Sequence, residues 1–428
     1  MTDDESSESA KENPEYSVPA ELTPVSKWAK GFTADQVHSF RNDYEARNFV
    51  LGDDIGVFFN ARASEVVPAS IIYRSGRVSS LESEPMSEIT EVVATSALGT
   101  MPLREAMDDP RARFQSIAVV HEGKLVLEEY RGMRENENHI WNSTAKTLSG
   151  LLIHILEEDG LIDLNKPVTA YVPEWEGTDW EKVRVSQVLH QRSGMDFVEN
   201  NENVRNPKHP VSRAFSSALA ARDEPQGESI NDLLTEVVLK DEPGTVFDYS
   251  TFNTQVLGII IEKVTKKPFD VVLSERIWSP AGMEGDALLV LTPSGEPLNG
   301  GIFGSRLRDF ARYGMLFTPS WREASDTRIV SDSYFEKLHE SADKSIYLNG
   351  GQGPRMVEEF GSGPTAAAYQ WDAIFEDGDL YKAGRNGNCL YVSPETDTVV
   401  VWFSTTYENS LWLSTYARSI VNQHFRDR

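Results

Sequence analysis

Apolar and polar positions change their period along this chain, separating strand-like ends from a helical middle. Residues 116–130 carry Ile117, Val119, Leu125 and Leu127 in two β-type runs joined by His-Glu-Gly-Lys. From residue 143 the period becomes helical, with Leu148, Leu151, Leu152, Ile155 and Leu156 on one face and Gly160 as the stop. Residues 161–285 keep helical periodicity, clearest over 254–265, where Val256, Leu257, Ile260 and Ile261 recur at helix spacing. Alternation then returns over 389–392 and 398–405, split by Ser-Pro-Glu-Thr-Asp, and an amphipathic helix is predicted over about 411–425. Strands at both ends with helices between them predict an α+β fold: an antiparallel sheet flanked by helices, with an inserted, mostly helical lobe. The expected division is a disordered acidic tail over 1–25, a sheet domain from 26–160 and 286–428, and a helical lobe from 161–285.

The helical run after residue 143 opens with Ser143-Thr-Ala-Lys146. Three residues apart on a helix, the two side chains lie on one face, a turn apart. A serine hydroxyl needs a neighbouring base, and a lysine supplies one when burial and nearby cations lower its pKa. The helix N-terminus adds partial positive charge where an oxyanion would form. A second Ser-x-x-Lys, Ser341-Ala-Asp-Lys344, runs into Leu-Asn-Gly-Gly-Gln-Gly-Pro, a loop signature, and is read as chance. Two further segments carry candidate chemistry. Tyr249, in a turn after Pro243-Gly244 and before a helix that includes Asn253, is a candidate proton relay. Lys382-Ala-Gly384-Arg385, expected on an edge strand, offers a cation and a backbone that a substrate carbonyl can approach.

Composition narrows the classes. At 428 residues the chain can bury a large core in one or two joined domains, and no run of 18 apolar residues predicts a membrane span. A net charge of −26 argues against nucleic acid as a partner. The N-terminus, Met-Thr-Asp-Asp-Glu-Ser, has neither the basic nor the apolar region of a signal peptide, so a cytoplasmic location is expected. A single cysteine, Cys389, in a strand pattern reads as a buried structural thiol, and the eight histidines form no metal motif, so neither metal nor cofactor is expected.

In this order and setting, Ser143-Thr-Ala-Lys146, Tyr249 and Lys382-Ala-Gly384 resemble the motifs of the serine β-lactamase and penicillin-recognising superfamily, on its class C and esterase side. Phe247-Asp-Tyr-Ser-Thr-Phe-Asn253-Thr, Arg308-Asp-Phe-Ala-Arg-Tyr-Gly314 and Tyr369-Gln-Trp371 are most similar to the 6-aminohexanoate-dimer hydrolases within it, and the resemblance spans about residues 60–428. It implies a β-lactamase/transpeptidase-like fold and cleavage of a small-molecule amide or ester through an acyl-enzyme on Ser143. Lys146 and Tyr249 would share the proton, and the backbone N–H groups of Ser143 and Arg385 would form the oxyanion hole. Lys382, Gly384, Asn253, Trp371 and Asp196 are the further substrate-side candidates, with Trp371 expected to line the acyl pocket and Asp196 to sit over the cleft. The alternatives on the same fold are a D-aminopeptidase or carboxypeptidase, a transacylase, and a non-catalytic penicillin-binding sensor. A homodimer is the expected assembly. Two departures bear on substrate. Thr251 stands where class C β-lactamases have the asparagine of Tyr-x-Asn, and Asn386 and Asn388 stand where the nylon-oligomer hydrolases tend to carry His and Gln.

Overall fold

The computed structural model describes residues 19, 21–199, 201–220, 227–361, 363–407 and 413–426. Its centre is an eight-stranded sheet built from β1 (Glu82–Ser83), β2 (Phe114–His121), β3 (Lys124–Tyr130), β4 (Pro364–Ala366), β5 (Ala373–Phe375), β6 (Leu380–Gly384), β7 (Asn388–Ser393) and β8 (Thr398–Ser404). The spatial order is β4-β5-β6-β7-β8-β2-β3-β1, antiparallel throughout except for the short β1, which runs parallel to β3. The fold is thus α+β, as the alternation at the two ends of the sequence predicts. The register pairs Leu390 with Val401 and Val400 with Val119, so the two ends of the chain meet in the middle of the sheet. Both faces are covered, which explains why β7 and β8 are buried along their whole length and read as near-continuous apolar runs. A smaller four-stranded sheet joins Ala69–Ile72, Ala287–Val290, Phe303–Ser305 and His139–Ile140.

Four helices matter for the site. Helix α1 (Lys146–Glu158) is entered through a 3₁₀ turn at Asn142–Ala145, and α2 (Thr251–Thr265) is capped by the Ser250 hydroxyl. Helix α3 (Leu307–Met315) packs on β8 and β2, and α4 (Ser414–Val421) lies on the opposite face of the sheet. Helices α1 and α2 cross in contact, and Asn299 bridges them by donating to Ser149 Oγ at 3.1 Å and to the Thr254 carbonyl at 2.7 Å. Between residues 161 and 285 the described elements are helices, with the isolated bridges Pro167–Arg184 and Met195–Leu239.

Three expectations change. Strand β6 is not an edge strand: β5 flanks it up to Tyr381, and beyond that point its free side is taken by the Asp372 carboxylate, which accepts from the Ala383 N–H at 3.0 Å. The Gly-rich stretch after Ser341 is a short link between helices at Lys344–Leu348 and Gln352–Phe360, not an extended loop. Of the tail expected over 1–25, residues 1–18 and 20 lie outside the described residues, whereas Thr23 donates to Asp54 at 3.0 Å and Val25 begins a 3₁₀ turn.

Candidate active site

Ser143 sits in the 3₁₀ turn that feeds α1, just after Asn142, whose φ of +53° bends the chain sharply. Ser143 remains partly accessible, while Lys146, one turn on, is fully buried. Lys146 Nζ donates to Ser143 Oγ at 3.1 Å, to Thr251 Oγ1 at 3.0 Å and to the Gly300 carbonyl. Burial lowers its pKa to about 7; Glu199 and Asp372 pull it upward, and Lys382 and Arg385 push it further down. The second motif, at Ser341, has no such geometry. Ser341 closes the helix Asp332–Glu340, and Lys344 Nζ faces Glu376 at 3.9 Å.

Tyr249 lies in the turn before α2, with Lys146 Nζ 5.1 Å and Lys382 Nζ 4.7 Å from its ring centre. Burial holds its phenol well above the usual pKa, with Asp372 and Glu199 adding to the rise and the hydrogen bond with Ser143 opposing it. At neutral pH the tyrosine is therefore protonated. Lys382, on β6, is fully buried and donates to Asp372 Oδ1 at 2.6 Å. Desolvation lowers its pKa while the Asp372 charge raises it. The Lys382–Asp372 pair thus sets a fixed, compensated charge behind the Tyr249 ring.

Close approach of β6 to the turn that carries Ser143 depends on Gly384. A Cβ there would lie 2.7 Å from the Trp141 carbonyl oxygen and 2.8 Å from Asn388 Cβ. Asn142 Nδ2 donates to the Arg385 carbonyl at 2.9 Å, and Asn388 Nδ2 donates to the Ile140 carbonyl at 3.0 Å, so two amides lash the 384–388 turn to the strand and turn around Ser143. Asn386, at φ +61°, donates to the Thr406 carbonyl at 2.8 Å. Asn386 and Asn388 are both buried, and each anchors the turn by donating to a backbone carbonyl. Arg385 itself is partly accessible; desolvation lowers its pKa, while Glu199 and Tyr249 oppose the fall.

Other candidates fall away from this cluster. Asn253 is buried and donates to Gln191 Oε1 at 2.8 Å, one turn behind the site. Trp371, expected to line the acyl pocket, packs as a core residue: its indole N–H donates to the Tyr334 hydroxyl at 2.8 Å and its ring meets Phe317 edge-on. Asp196 lies on the lobe, its carboxylate 3.8 Å from His209 Nε2. Cys389 is a buried strand residue whose thiol pKa is raised by burial. Four site residues escaped the sequence reading: Asp372, Glu199, Gly300 and Thr251 as an acceptor. Only Asp372 left a signal, as a carboxylate inside the apolar stretch 366–375. Glu199 accepts from the Thr251 N–H and acts electrostatically on Lys146, Tyr249, Lys382 and Arg385.

A beta-lactamase family profile matches residues 103–413, which span Ser143, Lys146, Tyr249 and Lys382. The chain belongs to the beta-lactamase family. This beta-lactamase-family hydrolase is 28% identical over 355 residues to the 6-aminohexanoate-dimer hydrolase of Paenarthrobacter ureafaciens, covering 81% of this chain and 84% of that one. A Bacillus anthracis structure bearing the 6-aminohexanoate-dimer hydrolase name superimposes with a TM-score of 0.73 at 24% identity, over 89% of this chain and 96% of its own. EstCE1, described as a hydrolase with promiscuous acyltransferase activity, shares the fold with a TM-score of 0.58 at 15% identity, over 74% of this chain and 96% of its own.

Proposed function

We propose that this beta-lactamase-family hydrolase cleaves a small-molecule amide or ester through an acyl-enzyme on Ser143. The observation that carries the reading is the 3.1 Å contact between Ser143 Oγ and a buried lysine whose pKa is lowered to about 7. The lowered pKa leaves Lys146 a neutral fraction near neutral pH that can take the serine proton, so Lys146 is the base. The phenol of Tyr249 is held protonated, so it is the acid.

Ser143 Oγ attacks the carbonyl carbon and its proton passes to Lys146 Nζ. The N–H groups of Ser143 and Arg385 receive the oxyanion, each worth on the order of 3 kcal/mol. The C–N or C–O bond breaks as Tyr249 gives its proton to the leaving atom. The transient phenolate is stabilised by the ammonium groups of Lys146 and Lys382, whose Nζ atoms lie 5.1 and 4.7 Å from the Tyr249 ring centre, and Lys146 then returns the proton to it. Water attacks the acyl carbon, passing a proton to Lys146, and Ser143 Oγ leaves with the proton of Tyr249. Transfer from Lys146 to Tyr249 restores the starting state.

The 28% identity over most of both chains supports a linear amide of the 6-aminohexanoate-oligomer type as substrate. The partly accessible Arg385 supports a substrate carboxylate. The net charge of −26 supports a small molecule over nucleic acid. A fluorophosphonate probe should add one phosphonyl group to the peptide holding Ser143. Labelling at Ser341, or full turnover in Ser143→Ala, would overturn the reading.

A further inference from the structure

Behind the site lies a buried set of amides, outside the proton path, that touches both segments flanking Tyr249. Gln191, with φ +58°, belongs to the loop after a short helix at Val185–Leu189. Its backbone carbonyl accepts from the Asp248 N–H at 2.9 Å, and its side-chain Oε1 accepts from the Ser250 N–H at 2.9 Å. One residue therefore grips the chain immediately before and immediately after Tyr249.

The side chain has no freedom to let go. Oε1 accepts a second hydrogen bond from Asn253 Nδ2 at 2.8 Å, filling both lone pairs. Nε2 donates to Gln370 Oε1 at 2.8 Å, and that oxygen also accepts from Thr254 Oγ1 at 2.7 Å. Gln370 Nε2 in turn donates to the Val188 and Leu189 carbonyls, at 3.3 and 2.9 Å. Flipping either glutamine amide would break several of these bonds at once. Gln370 and its neighbour Tyr369 both have positive φ, and the chain emerging from them carries Asp372, the partner of Lys382. Helix α1 presses on the same point, where a Cβ at Gly150 would stand 2.4 Å from the Tyr369 carbonyl oxygen. The amide set thus joins the elements bearing Ser143, Tyr249 and the Lys382–Asp372 pair.

We propose that Gln191 is a positioning residue that holds the Tyr249 hydroxyl in register with Ser143 through hydrogen bonds to Asp248 and Ser250, locked by Gln370. The proposal rests on the acid role of Tyr249 given above. Loss of the grip lets the phenol wander from the leaving atom, which harms a substrate that needs a proton more than one that does not.

The test is a double-mutant cycle of Gln191→Met and Tyr249→Phe on the full chain, reading kcat/KM for a p-nitrophenyl ester and a linear amide of one acyl group. Gln191→Met should cost the amide about 10- to 100-fold more than the ester, within the range of general acid catalysis. In the double variant the amide loss should match that of Tyr249→Phe to within about threefold, because the two residues act as one unit. Multiplying losses, or equal losses on both substrates, would reduce Gln191 to a packing role and overturn the proposal. If Gln191→Met fails to fold, Gln191→Ala likewise removes the acceptor facing the Ser250 N–H without adding volume, and undiminished amide turnover in that variant overturns the proposal equally. A Tyr249→Phe variant that spares the amide would refute the acid role itself, a result distinct from a failure at Gln191 alone.

Discussion

Asp372 holds Lys382 from one side while its second oxygen holds the strand that carries it: Oδ1 accepts from Lys382 Nζ at 2.6 Å and Oδ2 from the Ala383 N–H at 3.0 Å. Both side chains are buried, so neither charge is solvated in place of its partner. Removing one partner of a buried pair typically costs about 3–5 kcal/mol. Asp372→Asn should therefore lower stability by that order in urea unfolding, with kcat/KM falling for ester and amide alike.

The pH profile follows from Lys146. Its pKa is lowered to about 7, and the neutral form accepts the serine proton, so kcat/KM should rise with pH through about 7. Removing the Asp372 charge, which raises that pKa, should move the limb to lower pH. A profile flat from pH 5 to 9 would contradict Lys146 as base.

The same shift has a stability consequence of opposite sense to an ordinary ion pair. Between the folded pKa near 7 and the unfolded lysine value of about 10.4, the unfolded chain binds the extra proton. The destabilisation by Lys146 is complete below pH 7 and fades as pH climbs toward the unfolded value. Lys146→Met should accordingly shift Tm more favourably at pH 6 than at pH 10, by thermal melts at both.

Thr251 offers Lys146 a hydroxyl where class C enzymes offer an amide, and its backbone N–H is occupied by Glu199. A penicillin should acylate Ser143 and leave slowly, behaving as an inhibitor of ester turnover. Nitrocefin hydrolysis as fast as that of a good p-nitrophenyl ester would refute this.

Gly384→Ala should hurt both substrates together. The added Cβ would meet the Trp141 carbonyl at 2.7 Å and push Arg385 away from Ser143. We expect a loss of at least about 10²-fold in kcat, the scale of one lost oxyanion donor, with a smaller change in KM.

The linear order of apolar and polar residues was enough to determine the α+β class, the Ser-x-x-Lys face of α1 and the strands that close the sheet. These depend on period and on neighbours three or four residues apart, which a sequence displays directly. It also separated Ser143 from Ser341, because an apolar helical run follows only the first. Tertiary structure alone decided what surrounds Ser143. The acceptors that orient Lys146 lie 105 and 154 residues away, at Thr251 and Gly300, and no local pattern marks them. Trp371 and Asn253 sit beside family motifs in sequence but turn into the core, because the left-handed bend at Tyr369–Gln370 and the buried amide of Gln191 direct them there. Side-chain direction depends on which elements pack together, and packing partners distant in sequence are set by the whole fold.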